Sequence, residues 1–210
     1  MPNNVKPHVL TPAERKTRFR NLFSFSRVTQ RRFVKNTSGV AAVEFALVFP
    51  ILLILYLGSV EISGGLQTNK DVGKAASLVG DLVTQSPQLT TAELVGIADI
   101  AEATIFPYTT TTPVTTLVGI KIDTTNPKPK AKVEWSRRIA NGAQTEPYAK
   151  GSPITIPDRL LLPDTFVVKS TVELKYKPIV THNMKDTEIN MEETYYLRPR
   201  LTDEVQCTNC

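Results

Sequence analysis

The sequence predicts an α+β protein: a long N-terminal transmembrane helix continuing into an amphipathic helix, a second short helix, and a roughly four-stranded antiparallel sheet. Three observations carry this. From Val40 to Val60 only Glu44 is charged. The helical pattern then continues past Gly58 with polar and small residues on opposite faces. Beyond Pro107 the chain turns to β-branched, alternating stretches broken by Pro, Gly and Asn, the pattern of strands and turns.

Residues 1–38 read as a basic, largely disordered cytoplasmic leader. Lys6, Arg15, Lys16, Arg18, Arg20, Arg27, Arg31, Arg32 and Lys35 face a single acid, Glu14, and Pro2, Pro7 and Pro12 interrupt any period. Such a composition buries too little apolar surface to order itself. Leu22, Phe23, Phe25 and Val28 are suited to the membrane surface beside Arg27 and Arg31. The whole chain carries a formal net charge of +5, but the bases of this leader account for it, and the rest of the chain has a small acidic excess. That distribution argues against a nucleic-acid partner, which needs its basic charge on a folded face. It points instead to anionic lipid headgroups.

The span is assigned to residues 39–60. Its twenty-one residues from Val40 to Val60 reach about 31 Å as a helix, close to the hydrocarbon thickness of a bilayer. The positive-inside rule puts the N-terminus in the cytoplasm and residues 61–210, as an α+β domain, in the periplasm. The expected location is the inner membrane, with a single pass. A secretory signal peptide is the competing explanation, with Ser59 or Ser63-Gly64 as its cut, although its basic region is usually far shorter. Pro50 lies inside the span, where membrane helices tolerate proline if the freed carbonyl is satisfied otherwise.

Glu44 needs a reason, since a carboxylate deep in a bilayer helix is disfavoured by about 3 kcal/mol. The helix dipole offers one, as Glu44 lies near the helix start. A second comes from counting. If the chain is cut after Gly39, Val40 becomes a new N-terminus, with Glu44 its fifth residue and Phe45 following.

After the span, Gly58, Ile62, Gly65, Asn69, Val72, Gly73, Ala76, Gly80 and Val83 fall on one arc, with Glu61, Ser63, Gln67, Lys70, Lys74 and Asp81 opposite. Each interior glycine costs about 1 kcal/mol relative to alanine. Close approach of another element would explain it, so Gly58, Gly65, Gly73, Ala76 and Gly80 form a small packing face. One long helix over roughly 40–85 is expected; the alternative is a break at Gly64-Gly65. Ser86 and Pro87 end it. Thr90 and Glu93 stand at capping-box spacing, opening a short helix through Leu94, Ile97, Ala98, Ala101 and Ile105.

Four strands follow, at 114–123, 131–137, 165–176 and 187–197, with Asn141-Gly142 as a turn and the last strand closing a meander. Trp135, Tyr176, Tyr195 and Tyr196 are expected to pack the sheet or its rim. Cys207 and Cys210 read as a structural disulfide, within or between chains, with reactive thiols and metal binding as rivals. Zinc needs about four ligands, and of the two histidines His8 is expected on the other side of the membrane, leaving only His182. No cofactor, metal or catalytic constellation stands out, so an enzyme is not expected.

The string Gly39, the four apolar residues Val40-Ala41-Ala42-Val43, Glu44 and Phe45 resembles the processing signature of type IV prepilins. With Ala41-Ala42-Val43, Ala46-Leu47-Val48, Pro50, Leu52-Leu53, Gly58 and Glu61 it is similar to the TadE-like pseudopilins of tight-adherence (Tad) pilus systems. Stretches further on, among them Val79 to Gln85, Val133 to Ser136 and Tyr196 to Arg200, extend the likeness to TadE/TadG-type proteins. A metal motif of the von Willebrand A type is not seen, which favours the shorter TadE-like class. The resemblance implies a pilin-like fold, a prepilin peptidase acting at Gly39, and Glu44 pairing with the new amine of a neighbouring subunit. It also implies other pilus assembly proteins or pseudopilins as partners. The rival is an uncleaved, single-pass periplasmic binding or sensor module.

Overall fold

One helix, α1, runs without interruption from Val40 to Thr84 and includes Pro50. The computed structural model describes residues 39–108, 111–124, 129–178 and 188–210. The expected leader, the turn around Asn126 and the segment carrying His182 lie outside them. The chain divides into two compact units, Met1–Tyr56 and Leu57–Cys210. In the first unit, the described residues are the apolar start of α1, and every one is exposed. Length and composition make α1 the one helix among the described residues able to cross a membrane, and its most apolar window is wholly unburied.

In the second unit α1 is followed by β1 (Gln88–Thr90) and α2 (Thr91–Ile105). Thr90 caps α2: the Glu93 amide donates to its hydroxyl at 3.3 Å, and its own amide donates to the Glu93 carboxylate at 2.7 Å. These two bonds satisfy donors that a helix start otherwise leaves orphaned. The backbone bond from Thr90 is the main reason the Glu93 carboxyl titrates below its ordinary value.

The main sheet has five strands, not four: β2 (Val114–Asp123), β3 (Lys130–Ala140), β4 (Ala143–Thr145), β5 (Phe166–Tyr176) and β6 (Ile189–Leu197). Their order is β4-β3-β2-β5-β6, with antiparallel pairing throughout. The meander is therefore corrected. After the β2–β3 hairpin the chain returns to pair β5 with the free side of β2. Asn141 and Gly142, both at positive φ, make the tight β3–β4 turn, which puts β4 beside the end of β3. A second, parallel pair joins β1 to β7 (Gln206–Thr208). Three residues per strand leave almost no alternation to read, so this pair is invisible in the sequence.

Both faces of the sheet are covered, which explains the nearly continuous burial of β2. One face carries Leu117, Phe166, Val168, Val172 and Leu174 against Val72, Val79 and Val83 of α1 and Leu94 and Ile105 of α2. The other carries Val118, Ile120, Val133 and Val167 under Ile154, Ile156 and Leu161 of the long β4–β5 connection. A register shift opposite Gly119 and Ile120 leaves Glu134 as an extra residue in β3. Such a bulge re-aims side chains: Val133 lies on the second face, whereas Trp135 joins the helix-covered one. Trp135 fills the space over its partner Gly119, where a Cβ would come within 2.4 Å of the indole.

Candidate functional site

The residues expected to be processed lie at the start of α1, Gly39 immediately before it. Gly39, Val40, Glu44 and Phe45 are all exposed, and no acid occupies the first turn. Phe45 and Phe49, four residues apart and so on one helix face, hold their rings 5.3 Å apart. An aliphatic surface surrounds this face, with Leu47, Val48, Ile51 and Leu52 exposed.

Further along, the glycines of α1 meet the sheet of their own unit. At Gly65 an added Cβ would lie 3.7 Å from the Tyr176 ring, and at Gly73 3.7 Å from the Tyr195 hydroxyl. Gly80 is tightest, with Leu197 at 2.4 Å and Ser170 at 3.1 Å, whereas Gly58 meets nothing. Ala76 is fully buried. The arc itself needs correction at its lower end. Glu61, expected opposite, accepts a 3.0 Å hydrogen bond from the Tyr176 hydroxyl. Ile62, expected on the packing side, is exposed. The buried stripe includes Thr68, Val72, Ala75, Ala76, Val79 and Val83. Glu61 can turn to the sheet because a buried tyrosine gives its carboxylate a donor.

Residues 39–79 match the family described as TadE-like protein. This segment is similar to that family. No curated protein and no solved structure matches the chain. The TadE-like match covers the apolar run and most of the packed part of α1, and the sheet lies outside it. The match thus falls almost entirely on α1, the helix able to cross a membrane.

Beside the TadE-like segment runs an open groove of about 790 Å³, lined by Asn69, Gly73 and Ser77 of α1 and by Glu193, Tyr195 and Arg200. Charged pairs fix its walls. Arg200 reaches Asp81 at 2.7 Å, and its amide donates to the Thr84 carbonyl at 3.1 Å. Asn69 donates to Glu193 at 3.4 Å. Lys74, bonded to Asp71 at 2.8 Å, holds that carboxyl below its usual range.

Residues outside the TadE-like segment that sequence reasoning missed are mostly long-range partners. Arg138 grips Glu173 with both terminal nitrogens at 3.0 Å, which raises the guanidinium pKa further. Their separation of 35 residues leaves no local signal. Cys207 and Cys210 are joined as a disulfide with Cα atoms 5.6 Å apart. That loop lies beside β1, and Arg137 donates to the Asn209 carbonyl at 3.1 Å. Trp135 donates to the Val205 carbonyl at 2.8 Å, tying the same tail to the sheet. Among the described residues no three His, Cys, Asp or Glu side chains gather as a metal site.

Proposed function

We propose that this chain is a membrane-anchored, minor pseudopilin-like component of a Tad-type pilus assembly apparatus, acting structurally through helix packing. One observation carries the reading. The TadE-like match begins at Gly39, the residue from which the spacing to Glu44 and Phe45 puts a prepilin-type cut. Hydrolysis of the Gly39–Val40 amide would free an α-amine on Val40 at the edge of an apolar helix. A neighbouring copy's or pseudopilin's Glu44 would pair with such an amine. Opposite charges about 4 Å apart at an effective dielectric near 20 attract by about 4 kcal/mol. That offsets the roughly 3 kcal/mol cost of a carboxylate in the bilayer.

In this reading the chain sits in the inner membrane with its N-terminus cytoplasmic. The α+β domain is periplasmic and presents the assembly surface, and the Cys207–Cys210 disulfide suits an oxidising compartment. The partners are the bilayer, other pilus proteins and a prepilin peptidase. Intact-mass measurement on membrane-purified protein tests it. In cells with the active peptidase the chain should begin at Val40, and in cells without it at Met1. A chain that still begins at Met1 in both would point instead to a permanently anchored binding or sensor module.

A further inference from the structure

We propose that the bilayer contact of this chain continues beyond the helix onto the near end of the sheet, so that Ile62, Leu66, Phe106 and Ile189 lie in the lipid headgroup layer. The proposal rests on the reading of Val40–Val60 as a membrane span. All four residues belong to the second unit, and α1 supplies its own ruler there.

At about 1.5 Å per residue, Gly64 and Gly65 stand roughly 6–8 Å beyond Val60. The headgroup layer outside the hydrocarbon is about 5–8 Å deep on each side. The Tyr176 hydroxyl lies 3.5 Å from a Cβ placed on Gly64, and its ring 3.7 Å from one on Gly65. The same hydroxyl bonds Glu61. The end of β5 is thereby held at headgroup depth. Fifteen residues up the helix, Gly80 meets Ser170 and Leu197. Six strand residues from Ser170 to Tyr176 cover about 20 Å, and the helix from Gly80 to Gly65 about 22 Å. So β5 runs along α1 toward the membrane.

Exposed apolar side chains also stand at that level. Ile189 is in register with Tyr176 across β5 and β6 and is 52% exposed. Tyr108 stacks on Tyr176 at 5.1 Å, and two residues before it Phe106 is 70% exposed. On the helix, Ile62 and Leu66 are 66% and 61% exposed. Just past Val60 the helix thus still exposes large apolar side chains at Ile62 and Leu66, with Glu61 and Ser63 interspersed. Cations are answered there: Lys175 and Lys177 lie 3.9 and 3.1 Å from Glu188, and Glu61, bonded to Tyr176, adds a second carboxylate at the same level. The occupant is accordingly the apolar–polar boundary of a bilayer, where amphipathic elements settle, rather than an anionic headgroup in particular.

Tryptophan quenching in the full chain tests it. Phe106→Trp, Ile189→Trp, Leu53→Trp and Leu201→Trp are reconstituted in phosphatidylcholine nanodiscs carrying lipids brominated high on the acyl chain. The native Trp135 is buried and gives a common background. Leu201 is 72% exposed and follows Arg200, which bonds the far end of α1 at Thr84. The expected result is a severalfold loss of emission at 106 and 189 relative to 201, with 53 quenched as well. Quenching at 53 with 106 and 189 no more affected than 201 overturns this inference and leaves the span intact. Failure at 53 overturns the span reading and the inference with it.

Discussion

Tyr176 and Glu61, 115 positions apart, meet in a 3.0 Å hydrogen bond in which the phenol donates to the carboxylate. It joins the last residue of β5 to α1 one residue past the apolar run. Tyr108 stacks on the same phenol ring and receives the Lys177 amide on its own hydroxyl at 2.5 Å. The end of the sheet, the C-terminal end of α2 and the helix are fastened at this point.

Burial first, and then the bond to Glu61, push the Tyr176 pKa from 10.0 to about 12. The neutral form is the one the fold favours, so its contribution is complete below pH 10 and lost as pH rises toward 12. A displacement of that size is worth on the order of 2–3 kcal/mol. Denaturant melts of the detergent-solubilised chain should show stability falling between pH 10 and 12. In Tyr176→Phe that fall should shrink by about this amount; an unchanged slope contradicts the assignment.

Gly119 is expected to be the least replaceable glycine. A methyl there would come within 2.4 Å of Trp135 and 2.8 Å of Phe166, and the Trp135 indole is held by Val205. Overpacking of this kind costs roughly 1–3 kcal/mol. Gly119→Ala should lower the denaturation midpoint accordingly. Gly96→Ala, where nothing lies within 4 Å, should leave it unchanged or raise it slightly.

Thr90→Ala removes one arm of the capping box on α2. The expected loss is about 1 kcal/mol, measured by denaturation. Thr90→Ser should recover most of it, because serine supplies the same acceptor.

How much of this was legible in sequence depends on how local the cause is. The bounds of β2 and the cap at Thr90 follow from spacing within one element, and α1 ends one residue short of its expected limit. The alternation of Val172, Leu174 and Tyr176 marks their face correctly. Long-range causes were not readable. The extra residue Glu134 flips Trp135 to the helix-covered face only because β2 sets the register. The parallel β1–β7 pair and the Arg138–Glu173 clasp likewise depend on segments brought together by the fold. For Glu61 a charge alone says outward, and its phenolic partner is 115 residues away.

In the proposed reading the basic residues before Gly39 set the orientation. A reporter active only in the periplasm, fused after Cys210, should be active. Thiol labelling of freshly isolated protein without reductant should find Cys207 and Cys210 blocked. Activity from a cytoplasmic reporter alone would reverse the topology.

Glu44→Gln tests the assembly mechanism most directly, because it removes the charge and keeps the shape. If the helix dipole were all that Glu44 served, the loss would be about 0.3–1 kcal/mol and assembly would scarcely respond. If it pairs with a neighbouring subunit's amine, the partner charge is left uncompensated in a low-dielectric setting, which is strongly destabilising. The measurement is pilus-dependent surface adherence at matched expression, with cleavage checked by intact mass. The account predicts normal protein level and normal cleavage with adherence lost. Adherence equal to that of the unsubstituted protein would contradict it.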